Sequence, residues 1–194
     1  MQHNLVLEGS AFRLRPVTLW DGTFIIELRS KDQERLRFIH QVGNDLKAQE
    51  EWLKKYFPRA GDYYWVVERR GSKYPEGTVS LYNLDETLKT AEWGRWVLRP
   101  GSLAAVESAK LIFTAAFEKL ALDSTYCLTV ASNTNVVSFH DSCGAVREKT
   151  LKNHFNLGGQ KFDAVQHRVT RQKYPHILER LTFLSEKISR KILS

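Results

Sequence analysis

In Ala91-Glu92-Trp93-Gly94-Arg95-Trp96-Val97-Leu98-Arg99-Pro100-Gly101-Ser102-Leu103-Ala104-Ala105-Val106 the chain passes from one periodicity to another. Ala91 to Leu98 reads as a strand, Arg99 to Ser102 breaks it, and from Leu103 to Leu120 the residues Val106, Ala109, Phe113, Phe117 and Leu120 recur on one helical face. Regular alternation puts Glu92, Gly94 and Trp96 on one side of the strand and Trp93 and Arg95 on the other. A strand that runs through a short turn into a helix presents the helix's first N–H groups, which have no intrahelical partner, at the positive end of the dipole. Gly101, Ser102, Ala104 and Ala105 keep that turn small, so an anion such as a phosphate can approach the backbone.

Upstream, Tyr63 to Glu68 and Gly77 to Tyr82 are strands joined to Ala91–Leu98 by short polar turns, which predicts an antiparallel meander. Before them, Phe12-Arg13-Leu14-Arg15 alternates as a half-buried strand that Pro16 ends. Trp20 to Ser30 and Leu46 to Phe57 are helices, the second with Asn44 or Asp45 as N-cap and Pro58 as stop. Downstream follow a strand (Thr125 to Val130), a short helix (Asn133 to Ser142) and two strands (Val146 to Lys152 and Phe162 to Thr170). From Pro175 to Leu193, Ile177, Leu178, Leu181, Leu184, Ile188 and Ile192 fall at helical spacing. The order β-α-α-β-β-β-α-β-α-β-β, with an added C-terminal helix, predicts an α/β (α+β) fold in which helices flank a mixed sheet.

Composition narrows the classes. With 194 residues, 42% apolar and 11% aromatic, and no repeat or linker, residues 1–194 are expected to form a single domain. Apolar runs such as Leu111 to Phe117 fall far short of the ~20 residues of a membrane span, and Met1 to Glu8 lacks the pattern of a secretory signal. A cytoplasmic protein with no membrane partner is expected. Two cysteines, Cys127 and Cys143, make neither a disulfide framework nor a zinc spacing, and the six histidines show no helical pair, so no metal is expected. The net charge of +7, with six Lys/Arg against two Glu from Arg171 to Ser194, suits an anionic ligand or solubility. Without a basic run or an RNA-binding signature, nucleic acid is not expected as a partner.

Over residues 11–172 this order resembles the GNAT superfamily of N-acetyltransferases. In that family the loop after the fourth strand holds the pyrophosphate of acetyl-CoA, and Trp96, Val97, Leu98, Arg99, Gly101, Ser102, Leu103, Ala104, Ala105 and Val106 occupy the corresponding positions. The family's loop has the form Q/R-x-x-G-x-G/A; here Leu103 stands at its first glycine, with Gly101 nearby. Asn133-Thr134-Asn135-Val136-Val137-Ser138-Phe139-His140-Asp141-Ser142-Cys143-Gly144-Ala145 is similar to the N-x-x-[SA]-x-x-L-[YL]-E-K-x-G-F signature, whose asparagine lies beside the pantetheine arm. Asn133 and Phe139 therefore join the cofactor-binding set. In residue terms Asn133 also suits an N-cap, and Gly144 a left-handed helix end.

What the resemblance implies is acetyl transfer from acetyl-CoA, as cosubstrate, to a primary amine. The amine must lose a proton and CoA thiolate must leave. Glu92, in an Ala-Glu-x-Gly strand, is the expected base. His140 stands where many members have a tyrosine acid and is the expected acid, with packing beside the cofactor as its other role. Arg29, Arg37, His40, Trp52 and Tyr82 are the expected acceptor-binding residues, the cations for a diphosphate and the rings for stacking. The pattern is similar to the amino-sugar acetyltransferases of the pseudaminic acid pathway and to the RimJ and RimL type that acetylates ribosomal-protein N-termini. A nucleotide-linked amino sugar is the expected acceptor. A protein N-terminus, a small amine and an inactive CoA-binding relative stay open, as does a homodimer.

Overall fold

The structure, a computed structural model, describes residues 3–32, 34, 36–40 and 42–193. Met1 and Gln2 of the N-terminal stretch read above, and Ser194 at the other end, lie outside them. Among the described residues fifteen elements follow one another, beginning with β1 (Leu7–Glu8), β2 (Phe12–Pro16), a 3-10 turn (Leu19–Asp21), α1 (Gly22–Ser30) and α2 (Leu46–Tyr56). The meander β3 (Tyr63–Arg69), β4 (Pro75–Asp85) and β5 (Thr90–Leu98) comes next, then α3 (Ala105–Thr114), which runs into a π-helical turn (Ala115–Lys119). Last are β6 (Ser124–Val130), α4 (Thr134–Cys143), β7 (Val146–Leu157), β8 (Gln160–Thr170) and α5 (Tyr174–Leu193). The order matches the predicted one apart from β1, a two-residue strand too short to carry a period. β4 and β7 run past their predicted ends, and the predicted 103–120 helix is shorter and changes to a π turn.

The eight strands lie in the order β1-β2-β3-β4-β5-β6-β8-β7, antiparallel except for β5 with β6. β3 is buried on both faces, and alternation divides its side chains between two cores. Trp65 and Val67 join Phe12, Leu14, Val79 and Trp93 under Ile112 and Phe113 of α3, while Tyr64 and Val66 join Val17, Ile25, Leu53 and Tyr56 under α1 and α2. The C-terminal helix packs on its own core: Ile177 and Leu181 are buried in the α3 cluster. No helix among the described residues is long and apolar enough to cross a membrane.

Caps set the ends of the helices. The Asp45 carboxylate accepts from the N–H groups of Lys47 and Ala48 (2.9 and 3.3 Å), so Asp45, not Asn44, starts α2. Gly144 ends α4 at φ 93°, where a side chain would be strained. α3 is tied to the β1–β2 turn through Glu107, 2% exposed, whose carboxylate accepts from the backbone N–H groups of Ser10, Ala11 and Phe12. Any side chain at Gly9 would overlap that carboxylate and the Phe12 carbonyl. Glu107→Ala strands two buried donors, those of Ala11 and Phe12, and the part-buried one of Ser10, and is expected to cost about 3 kcal/mol. Equilibrium urea unfolding should show a lower midpoint with the same slope; an unchanged midpoint would mean that the turn is held by other contacts.

Candidate active site

The site begins with a fault in β5. Thr78 of β4 pairs with Val97 and Ser80 with Gly94, so Arg95 and Trp96 together face the single residue between them on β4. This bulge is made by Arg95 itself, at φ 48°. A left-handed conformation costs an ordinary L-residue roughly 1–2 kcal/mol. Here contacts on the guanidinium offset it. Its carbon lies 4.3 Å from the Tyr82 ring centroid, 5.1 Å from Tyr56 and 5.8 Å from Tyr64, and Nη1 donates to the Tyr56 hydroxyl at 3.1 Å.

The extra residue reverses the alternation expected from the sequence. Arg95 joins Tyr82 on the face of Glu92 and Gly94, while Trp96 turns to the opposite face beside Trp93, 5.4 Å between ring centroids. There Trp96 Nε1 donates to Ser108 of α3 at 3.0 Å.

β5 parts from β6 at Glu92, just before the bulge. The two strands pair only at Thr90 with Ser124, Ala91 with Thr125 and Glu92 with Tyr126, although each continues past that point. A cavity of about 590 Å³ opens in the gap, walled by Trp93 to Val97 on one side and Cys127 to Val130 on the other. α1 and α2 contribute Ile25, Arg29, Gln49 and Trp52, α4 brings Val136 and His140, and Phe155 and Leu157 of β7 close the far end.

Of the residues expected to bind acceptor, Arg29, His40, Trp52 and Tyr82 line this cleft, but Arg37 does not. Arg37 is exposed beside Glu34 (3.7 Å) and lies over the Phe38 ring, because the short turn around it directs the side chain to solvent. Arg29 donates from Nη2 to the His40 carbonyl at 2.7 Å, and its buried Nε has no partner. Trp52 stacks on Tyr56, centroids 4.9 Å apart.

Of the expected cofactor residues, Trp96, Val97 and Asn133 line the cleft, and Phe139 stands 5.0 Å from the Trp96 ring. Asn133 occupies the N-cap position of α4, but its side chain makes no capping bond. Leu98 to Val106 lie beyond the lining, along the strand end and the first turn of α3. Gly101 adopts φ 75°, and Ser102 Oγ accepts from the Ala104 N–H at 3.2 Å. The first α-helical bond runs from Ser108 N–H to the Ala104 carbonyl (2.8 Å), so the N–H groups of Ala105, Val106 and Glu107 precede it. Leu103 is exposed, and Arg99 is engaged by the Pro75 carbonyl, 2.9 Å from Nε.

Glu92 is absent from the lining but linked to it. The Tyr82 hydroxyl donates to Oε1 at 2.8 Å, and Asn83 Nδ2 to Oε2 at 3.1 Å. Burial, and then the Glu92 charge, raise the Tyr82 pKa, so the phenol keeps its proton. His140 is 3% exposed, with Nε2 3.5 Å from Cys127 Sγ and its ring 5.1 Å from those of Trp93 and His167. Burial, with His167 adding to it, lowers its pKa to about 3, so the ring is neutral at pH 7. Cys127, pushed up to about 12 by burial, is no nucleophile at that pH.

Sequence reasoning missed Arg95 as a cleft residue, since it assumed unbroken alternation; the glycine before it was the available signal of a bulge. It missed Phe155 and Leu157 by ending β7 at Lys152. Among the described residues no group of three or more side chains is arranged to hold a metal.

Residues 12–146 match the family model of the acetyltransferase (GNAT) domain. Spermidine N(1)-acetyltransferase of Escherichia coli K12 is 25% identical over 166 residues, covering 77% of this chain and 88% of that protein. Among solved structures, FdhC, described as a nucleotide-linked sugar GNAT, superposes with a TM-score of 0.78 at 29% identity, over 94% of this chain and 99% of its own. A spermidine N-acetyltransferase of Vibrio cholerae shares the fold, with a TM-score of 0.74 at 23% identity over 86% of this chain and 97% of its own. With most of its length matched in sequence and its sheet matched in space, the chain belongs to the GNAT acetyltransferase family: it is an acyltransferase, and acetyl-CoA is the cosubstrate of that family.

Proposed function

We propose that the protein transfers the acetyl group of acetyl-CoA to the primary amine of a nucleotide-linked amino sugar. The observation that carries this reading is the charge of the cleft. Arg29 and Arg95 line it without a carboxylate partner among the described residues, and the one lining carboxylate, Asp45, is engaged in capping α2. A polyamine needs carboxylates for its remaining ammonium groups, whereas the two charges of a nucleotide diphosphate suit guanidinium groups. Trp52, stacked on Tyr56 and 37% exposed, offers a flat face to a base or sugar ring. That FdhC is described as a nucleotide-linked sugar GNAT supports the same class of acceptor.

In this reading acetyl-CoA enters from the α3 end. Its pyrophosphate meets the N–H groups of the Gly101–Val106 turn, and its pantetheine arm runs along Trp96 to Leu98 toward Asn133, with Phe139 packing behind Trp96. Arg99, Ser102, Leu103 and Ala104 shape that turn. Glu92 serves as base. His140 takes the second of the roles open to it, a neutral wall of the thioester region: a ring that is uncharged at pH 7 and faces Cys127 has no proton to spare for a thiolate. The reaction takes place in the cytoplasm.

Ala105→Asp places a carboxylate where the pyrophosphate is expected. Acidic residues favour a helix N-terminus, so the fold should survive while calorimetry shows CoA binding lost; wild-type affinity would remove this placement. For the acceptor, Arg95→Gln should lower kcat/KM for a UDP- or dTDP-linked amino sugar about 10- to 100-fold, the worth of one charged hydrogen bond. The reading fails if such sugars neither react nor compete at millimolar concentration while spermidine or an N-terminal peptide is acetylated.

A further inference from the structure

Glu92 and the cleft are separated by one side chain, Tyr82. Its ring lies in the cavity wall, and its hydroxyl donates to Glu92 Oε1 at 2.8 Å. Two features hold the phenol there. Gly94, beside Glu92 on β5, leaves the space that the hydroxyl occupies: a Cβ at that position would stand 2.6 Å from the Tyr82 oxygen. The Arg95 guanidinium covers the ring at 4.3 Å, and Asn83, at φ 53° in a second irregularity of the β4–β5 pairing, donates to the other Glu92 oxygen at 3.1 Å. The glycine of the Ala-Glu-x-Gly strand thus has a specific use, which is to admit a phenol between the carboxylate and the cavity.

We propose that Tyr82 is a catalytic residue, the proton relay between the acceptor amine and Glu92. As the amine nitrogen forms its bond to the thioester carbonyl carbon, its N–H proton passes to Tyr82 Oη while the phenol's own proton moves to Glu92 Oε1. The tetrahedral adduct then expels CoA thiolate, which takes a proton from water, and Glu92 returns its proton to solvent. The products are the acetamide and CoA, with no net proton held by the enzyme. Because the phenol is buried beside a carboxylate, it gives up one proton only as it gains another, and the nearby guanidinium stabilises the charge that develops on its oxygen in between. This inference rests on Glu92 being the base.

The test is a double-mutant cycle on kcat, using a dTDP-linked amino sugar with spermidine in parallel, and with CoA binding by calorimetry as the check on folding. Tyr82→Phe and Glu92→Gln should each lower kcat about 100-fold, in the range of general-base losses. The double variant should be no slower, since both break one relay. Gly94→Ala, which displaces the hydroxyl but leaves both groups in place, should lower kcat as well. If Glu92→Gln is slow and Tyr82→Phe is within threefold of wild type, the relay is overturned and the base stands; if Glu92→Gln is unimpaired, both fall. Losses that multiply in the double variant also overturn the relay. An arm without any acceptor follows tyrosine ionisation by NMR of ring-labelled protein, with Tyr82→Phe identifying the signal: Glu92→Gln should let Tyr82 ionise at lower pH, and an unchanged titration would overturn the contact on which the relay depends.

Discussion

One residue in the wrong half of conformational space organises this molecule. Arg95 sits at φ 48° in the middle of β5, at one of the two breaks in that strand's register with β4. Its presence turns two tryptophans onto one face and brings a cation into a ring of three tyrosines on the other, just past the point, at Glu92, where β5 leaves β6 after three paired residues. A parallel pair that stayed in register would have filled the gap with backbone hydrogen bonds. Because it does not, the interior of the sheet has a cleft, and the chain on both sides of it is ready to receive an extended ligand. The strain is local, and the surrounding aromatic contacts are of a size to balance it.

The same constraint joins the two halves of the site. On the face of α3 and α4, Trp93, Trp96, Phe139 and His140 form an apolar wall. On the face of α1 and α2, Arg29, Trp52, Tyr82 and Arg95 make a cationic, aromatic one. In the proposed reading the acyl thioester takes the first and the anionic, amine-bearing acceptor the second, with the bulge between them. The buried Glu107 carboxylate serves this arrangement from a distance by fixing α3, and with it the turn from Gly101 to Ala105, against the β1–β2 edge.

Most of the frame was legible in the sequence, since periodicity is a property of burial. The apolar repeat from Val106 to Phe117, the alternation in Phe12–Arg15 and the aromatic run Tyr63–Val67 each report which side of an element meets a core. Asn133 and Gly144 were legible as the two ends of α4, although only the structure shows the Asn133 side chain left uncommitted by the helix and lining the cleft. What could not be read was the interior of β5. A bulge depends on the partner strand and on the tyrosines that stabilise it, from three different elements, and no periodicity records such contacts. For the same reason Arg37 looked equivalent to Arg29, although one points to solvent and the other into the cleft. Likewise the state of His140 is set by Trp93, Cys127 and His167, which are distant in the chain.

The central claim is that the opening between β5 and β6, together with the first turn of α3, is where acetyl-CoA lies. Amide hydrogen exchange with and without CoA tests it most directly, because it reads the backbone groups themselves. The account predicts slower exchange in two places, the β5 amides from Trp96 to Leu98 and those of Ala105 to Glu107, with β1 to β3 unaffected. Exchange that is unchanged at both, or protection confined to another part of the sheet, would contradict it.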